Sequence, residues 1–134
     1  MDWIRVVLAV LVAGLASSMT DWFFGGILFH EKYGAYPEIW RHSSGGGETK
    51  AIAWSIGLSF IACAVFVLIL ELLGIAGWER TLGLALLVWG AGCVPVLITN
   101  ALFIKLHPLV VVSNSLGWLV KLGLFAAASV LLLP

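Results

Sequence analysis

The chain has 134 residues, of which 62% are hydrophobic and 10% charged, and its mean hydropathy is +1.11. Soluble domains carry roughly 25% charged residues, and one of this size buries only about 68% of the surface that its unfolded chain exposes. The composition therefore excludes an ordinary water-soluble domain and predicts an integral membrane protein with the lipid bilayer as its main partner. A formal net charge of zero gives no overall field that would attract nucleic acid.

Four apolar stretches are long enough to cross a bilayer, which takes about 20 residues in a helix. They are residues 3–29, 51–73, 81–106 and 109–133. Backbone groups in lipid must be satisfied within the segment, and runs such as 61–68 do not alternate as the strands of a membrane barrel would. The predicted fold is all-α, a single membrane domain (1–134) that forms an antiparallel four-helix bundle. The first stretch is too long for a cleaved signal and predicts a retained span.

The connections between these stretches differ in length. Residues 74–80 and 105–108 are short, which predicts antiparallel neighbours, and Pro108 suits the first turn of the last helix. Residues 30–50 form the predicted loop. Its end, 43–47, is typical of a flexible linker, and Pro37 predicts a short helix at the membrane interface that includes Trp40.

Basic residues predict the orientation. The face with the termini carries two basic residues, Arg5 and Arg80. The face with the loop carries four, which are Lys32, Arg41, Lys50 and Lys105. The positive-inside rule places the loop 30–50 in the cytoplasm and both termini outside, in a multi-pass protein of the cell membrane. Trp3, Trp54 and Trp78 fit anchors at the two interfaces.

Four segments resemble a family of small bacterial membrane proteins, catalogued as domain of unknown function 1761. They are residues 22–29, the aromatic loop around Trp40, residues 100–103 and residues 113–120. The resemblance covers nearly the whole chain, whereas the glycines at 45–47 and Lys121 depart from the family pattern. It implies a four-helix protein of the bacterial inner membrane, and it implies no reaction.

Two ionisable residues stand out by their depth inside the predicted spans, because a charge costs about 2.5–3.5 kcal/mol at the helix centre. Counted from the loop-bearing face at about 1.5 Å per residue, Asp21 is about 12 Å deep and Lys121 about 18 Å deep. A lysine side chain can close that difference. Asp21 shares a helix face with Ala13, Gly14, Ser17 and Ser18, small residues that allow close helix contact. We expect Asp21 and Lys121 to interact inside the bundle.

Asn100 and Asn114 lie at similar depths on the third and fourth spans, so the predicted intramembrane polar cluster is Asp21, Asn100, Asn114, Lys121 and Ser17. Two interpretations stay open. The cluster is either an ion pair with asparagine hydrogen bonds that hold the helices together, or a hydrated pocket for a small ligand or proton. A third possibility is that Lys121 extends to the membrane surface.

The histidines give weak metal candidates on the loop-bearing face. His30, Glu31 and His107 have suitable side chains, but their spacing matches no metal motif, and His42 adjoins the linker. Histidines at the interface without a ligand are the preferred interpretation, with haem ligation by His30 or His107 as the alternative. Cys63 and Cys93 lie inside apolar runs and read as packing residues. We expect no cofactor.

Neither a catalytic triad nor a phosphate-binding loop is present, because the glycines at 45–47 lack the lysine that follows in such loops. The sequence therefore predicts no enzyme. Two functions remain. The first is a structural or accessory subunit that packs beside other membrane subunits or its own copies. The second is a small carrier that binds a ligand or proton in the polar cluster.

Overall fold

The computed structural model describes residues 2–28, 30–33, 36 and 47–134. Every element in this part of the chain is helical. In chain order they are α1 (Trp3–Asp21), a first π-helical stretch (Trp22–Leu28), α2 (His30–Tyr33), α3 (Gly47–Leu73), α4 (Trp78–Val88), a second π-helical stretch (Trp89–Cys93), α5 (Val94–Phe103) and α6 (Pro108–Leu132).

Four of the resulting helical segments are long and apolar enough to cross a membrane. They are Trp3–Leu28, Thr49–Leu73, Trp78–Phe103 and Pro108–Leu132, and each has 25 or 26 residues. The predicted all-helical class and the predicted number of long apolar helices are therefore confirmed within the described residues.

The boundaries differ from the prediction at the second and third spans. α3 begins at Gly47 and α2 covers residues 30–33, so helices occupy both ends of the predicted loop 30–50. The third span begins three residues earlier than predicted, at Trp78, because Gly77 adopts a φ of +85° and Glu79 stands in the first helical turn. It ends at Phe103, where Ile104 is extended. The helix predicted after Pro37 and the linker at 43–46 lie outside the described residues.

A glycine turn joins α3 to α4. Gly74 has a φ of +61°, its N–H donates to the carbonyl of Glu71, and the N–H of Ile75 donates to the carbonyl of Leu70. This pair of hydrogen bonds is a Schellman motif, which satisfies carbonyls that a helix end leaves free. Both Gly74 and Gly77 have backbone conformations that other residues rarely adopt.

The last helix is the centre of the packing. α6 contacts α1, α3, α4 and α5, whereas α3 packs mainly against α1 and the third span mainly against α6. The expectation that the second and third spans are neighbours along their length is wrong, because α6 takes the place beside α4 and α5. The turn at 74–77 joins only their ends.

Small residues on α1 let the helices approach closely. Ala9, Ala13, Gly14 and Ser17 are all buried. A methyl group built on Gly14 would overlap the ring of Phe60 on α3, so this position is open only to glycine in the present packing. The facing side of α3 is buried at i, i+4, i+7, i+8 and i+11 spacing, a helical stripe composed of Ser59, Cys63, Phe66, Val67 and Leu70.

Both π-helical stretches coincide with residues that disturb a regular helix. Pro95 has no N–H to donate to the carbonyl of Ala91, and the wide turn at Trp89–Cys93 directly precedes it. Gly25 and Gly26 lie inside the other wide turn, Trp22–Leu28. Such stretches change the direction of the side chains around them, and the stretch Trp22–Leu28 directly follows Asp21.

Candidate functional site: an ion pair inside the helices

Lys121 lies on α6 in the interior of the protein, and only 4% of the residue is exposed. Its Nζ is 2.6 Å from Oδ1 of Asp21. The contact expected between these two residues is therefore present. Because the lysine side chain is 5% exposed, it does not extend to the molecular surface, and that alternative is wrong.

Two further groups contact the ammonium of Lys121. Nζ donates a hydrogen bond of 3.3 Å to Oγ of Ser59 on α3, and it lies 4.5 Å from the centroid of the Trp118 ring, one turn earlier on α6. The negative face of an indole ring attracts a cation at this distance. The lysine thus joins α1, α3 and α6 at one point and has a polar or π partner on each.

Asp21 occupies a different environment from its partner. It is the last residue of α1, at the junction with the first π-helical stretch, and 39% of its side chain is exposed. Oδ1 holds the lysine, whereas Oδ2 is buried and accepts no hydrogen bond from a described residue. The exposed surface of the Asp21 side chain therefore belongs to atoms other than Oδ2. The carboxylate holds its ion pair through one oxygen and leaves the other without a donor.

The other predicted members of the cluster each have their own surroundings. Ser17 is fully buried, and its hydroxyl donates to the carbonyl of Gly14 in its own helix. Asn100 is exposed, because the third span turns its other side towards α6. Asn114 is half-buried on α6, nearly two turns before Lys121. The site around the ammonium consists of Asp21, Lys121, Ser59 and Trp118.

Ser59 and Trp118 are the members of this site that the sequence analysis missed. Trp118 stands three residues before Lys121, a spacing that brings side chains together on a helix. Ser59 could have been found as the polar position of the buried stripe on α3. The rotation of α3, however, depends on contacts with α1 that its uniformly apolar sequence does not reveal.

The described side chains include no metal site. No group of three histidine, cysteine, aspartate or glutamate side chains that could hold a metal occurs among the described residues. His107 caps α6, and its Nδ1 accepts a hydrogen bond of 3.1 Å from the N–H of Leu109. Glu31 is exposed on α2. The side chain of His30 and all of His42 lie outside the described part.

Both cysteines are free thiols. Cys63 is fully buried in the stripe that α3 presents to its neighbours, and Cys93 is half-buried at the end of the second π-helical stretch. Ser59 and Cys63 are therefore used inside this chain.

The chain matches no family model, no curated protein and no solved structure. The resemblance carried by residues 22–29, 100–103 and 113–120 therefore stays a prediction.

Proposed function

We propose that this chain is a multi-pass membrane protein that acts as a non-enzymatic accessory subunit, packed against a transmembrane helix of a partner. Four apolar spans support the membrane location. Large apolar side chains are exposed on all four spans, for example Leu15, Leu58, Leu87 and Leu131, and lipid or a partner helix would cover them. We also propose that the four spans form an antiparallel bundle. Contacts from Asp21 to Lys121 and from Phe24 to Ser113 support opposite directions for the first and fourth spans.

The third span carries the proposal of a partner. Only 11% of its most apolar window is buried, against 28% to 33% in the other three spans. Its exposed side includes small residues and two polar ones, and such residues favour contact between membrane helices. They are Gly90, Gly92, Thr99 and Asn100. A largely apolar helix with one polar side chain, from another subunit, fits this side better than lipid, because it can bond the exposed amide and approach the glycines.

The ion pair of Asp21 and Lys121 has a structural role in this proposal. Its ammonium is enclosed by groups of three helices, which fixes their relative positions within the subunit. Buried charges are expensive unless they are paired and hydrogen-bonded, so the pair favours one packing arrangement over alternatives in which the lysine would lose its partners. A rigid subunit of this kind presents the third span in a constant geometry.

Site-specific photo-crosslinking in native membranes tests the accessory role. A photoreactive residue replaces Leu87 on the third span, and the matched control replaces Leu15 on α1, which is similarly exposed at 62% against 71%. We expect one dominant protein adduct at position 87, in stoichiometric yield, and lipid adducts alone at position 15. Equal crosslinking at the two positions, or lipid adducts at both, would contradict the proposal.

A second function, binding of a proton or a small cationic ligand, has support from one observation. Oδ2 of Asp21 is buried without a hydrogen-bond donor, while part of the same side chain is exposed. A proton on Oδ2 would find no competing donor there. Infrared spectra recorded during acidification test this function. A carboxylic acid band that disappears in Asp21→Asn supports it, and an unchanged spectrum contradicts it.

We also propose the orientation that the basic residues predict, with the loop in the cytoplasm. In a background with both cysteines replaced, Lys50→Cys and Ala76→Cys place thiols at exposed positions near opposite ends of α3. An impermeant maleimide added to intact cells should label the cysteine at 76 and leave the one at 50 unlabelled. The opposite pattern would reverse the orientation, and labelling of both would contradict the membrane span between them.

A further inference from the structure

A cavity of about 200 Å³ lies at the C-terminal end of α6, the end opposite to Ser113. It is enclosed by the end of α3, the glycine turn, the first turns of α4 and the end of α6. Its walls combine apolar side chains with three polar ones, and the lining includes Leu70, Ile75, Val130, Glu71, Thr81 and Ser129. At about 30 Å³ per water molecule, the volume equals that of six or seven waters.

Two of the polar groups have no partner in the described part of the chain. The hydroxyl of Thr81 makes no hydrogen bond there, although the residue is only 1% exposed and faces the cavity. The carboxylate of Glu71, which is half-buried, makes neither an ion pair nor a hydrogen bond. Ser129 donates to the carbonyl of Phe125 at 2.7 Å, so its oxygen can still accept. The Thr81 and Glu71 oxygens are not among the fully buried atoms without a partner, so the cavity offers accessible acceptors for a donor that no described residue supplies.

The backbone adds negative potential at the same place. Both α3 and α6 end at the cavity, and the carboxyl end of a helix carries a partial negative charge. α4 begins there with its positive end, but Glu79 in its first turn offsets that charge. Together with the carboxylate of Glu71, these ends favour a cation.

We propose that this cavity binds a primary ammonium group, with the carboxylate of Glu71 as counter-ion and the hydroxyl oxygens of Thr81 and Ser129 as acceptors. A primary ammonium has three N–H donors, which match these three acceptors, whereas a quaternary ammonium has none. A bare metal ion is too small for a cavity of this volume with apolar walls. The apolar side chains instead contact the carbon atoms that an organic amine carries.

Two sources supply this chemistry: the ethanolamine headgroup of a membrane lipid, and a free alkylamine. The cavity lies where three helices end and beside the half-exposed Trp78, a residue typical of the membrane interface, so both can reach it. The purified full-length chain in nanodiscs of choline lipid is titrated with ethanolamine-headgroup lipid or with free ethanolamine. Binding is read from native mass spectrometry and from the thermal unfolding midpoint.

We expect a saturable rise in the unfolding midpoint with one of the two amines. Glu71→Gln should weaken binding about tenfold or more, because a hydrogen bond to a charged group is lost. Thr81→Val should weaken it less, and the matched control Glu31→Gln, an exposed carboxylate on α2 outside the cavity lining, should leave it unchanged. Binding of the lipid alone assigns the site to the headgroup, and binding of free ethanolamine assigns it to soluble amines. Equal binding by the wild type and Glu71→Gln, or an equal response to added choline lipid, would overturn the proposal.

Discussion

At Gly14 on α1, the missing side chain leaves room for the ring of Phe60 on α3. Gly14→Ala should therefore destabilise the protein by about 1–3 kcal/mol, the usual cost of overpacking a core, despite the better helix propensity of alanine. Gly57→Ala on α3 is the matched control, since no atom lies within 4 Å of a methyl group there. Chemical unfolding in detergent micelles measures both variants.

Shortening the side chain of Phe60 tests whether overlap with its ring causes the loss of stability. Gly14→Ala combined with Phe60→Leu should recover part of the lost stability, since the overlap disappears. A loss in Gly14→Ala no larger than the change in Gly57→Ala would show that the two helices do not depend on this contact.

At the level of single residues, the sequence predicted the contact of Asp21 with Lys121 because the cost of a lone charge in lipid leaves few alternatives. It could not predict the hydrogen bond to Ser59, which depends on the rotation of α3. Nor could the sequence predict that Asn100 is exposed and not part of the site around Lys121. Depth along a helix follows from counting residues, but the direction of a side chain in a helix that is apolar all round does not.

The second π-helical stretch is the element that attaches the third span to the rest of the protein. Trp89, at its start, donates a hydrogen bond of 2.8 Å from Nε1 to the carbonyl of Ser115 on α6. The carbonyl of Ser115 lies within α6, where a carbonyl usually accepts only from an N–H of its own helix. Here it also accepts from the indole N–H of Trp89. The wide turn before Pro95 sets the direction in which Trp89 points, and the side chain in turn connects the two spans.

Trp89→Phe should loosen this attachment while it keeps an aromatic ring in place. The loss of one hydrogen bond between neutral groups predicts a destabilisation of about 1 kcal/mol. Trp54→Phe is the matched control, because Trp54 is 65% exposed and has no hydrogen bond among the described residues. Unfolding in micelles measures both. Equal stability of the two variants would show that the bond to Ser115 contributes nothing.

Element boundaries were predictable to within about four residues, and the reasons for the differences are local. α3 starts at Gly47, so the end of the glycine-rich sequence is the first turn of a helix and not part of the loop. Glycines at 74 and 77 define the turn after α3 through backbone conformation. The π-helical stretches had sequence signals, Pro95 and the Gly25–Gly26 pair, but neither signal specifies how a helix accommodates it.

On the scale of the whole molecule, the central position of α6 distinguishes the observed packing from the simple picture of sequential neighbours. α6 contacts all the other long helices, and it supplies Lys121 and the carbonyl of Ser115 to contacts between spans. Among the described residues, the third span packs mainly against α6. Its exposed surface is therefore the place where the proposed accessory role acts, and the ion pair at Lys121 is the contact that keeps the remaining spans in register.

A double-mutant cycle on Asp21 and Lys121 tests this account most directly. The variants are Asp21→Asn, Lys121→Met and their combination, and Asp2→Asn with Arg5→Met on the exposed pair at the start of α1 is the matched control. That control pair is 3.2 Å apart, with side chains 54% and 45% exposed, so its coupling should be about 0–1 kcal/mol.

For the inner pair, we expect a coupling of about 1–3 kcal/mol, with the double variant more stable than Lys121→Met alone, because removing both partners leaves no stranded charge. The free energy of unfolding in micelles is the measured quantity. Additive losses, with a coupling no larger than that of the control pair, would contradict the claim that this ion pair holds the helices together.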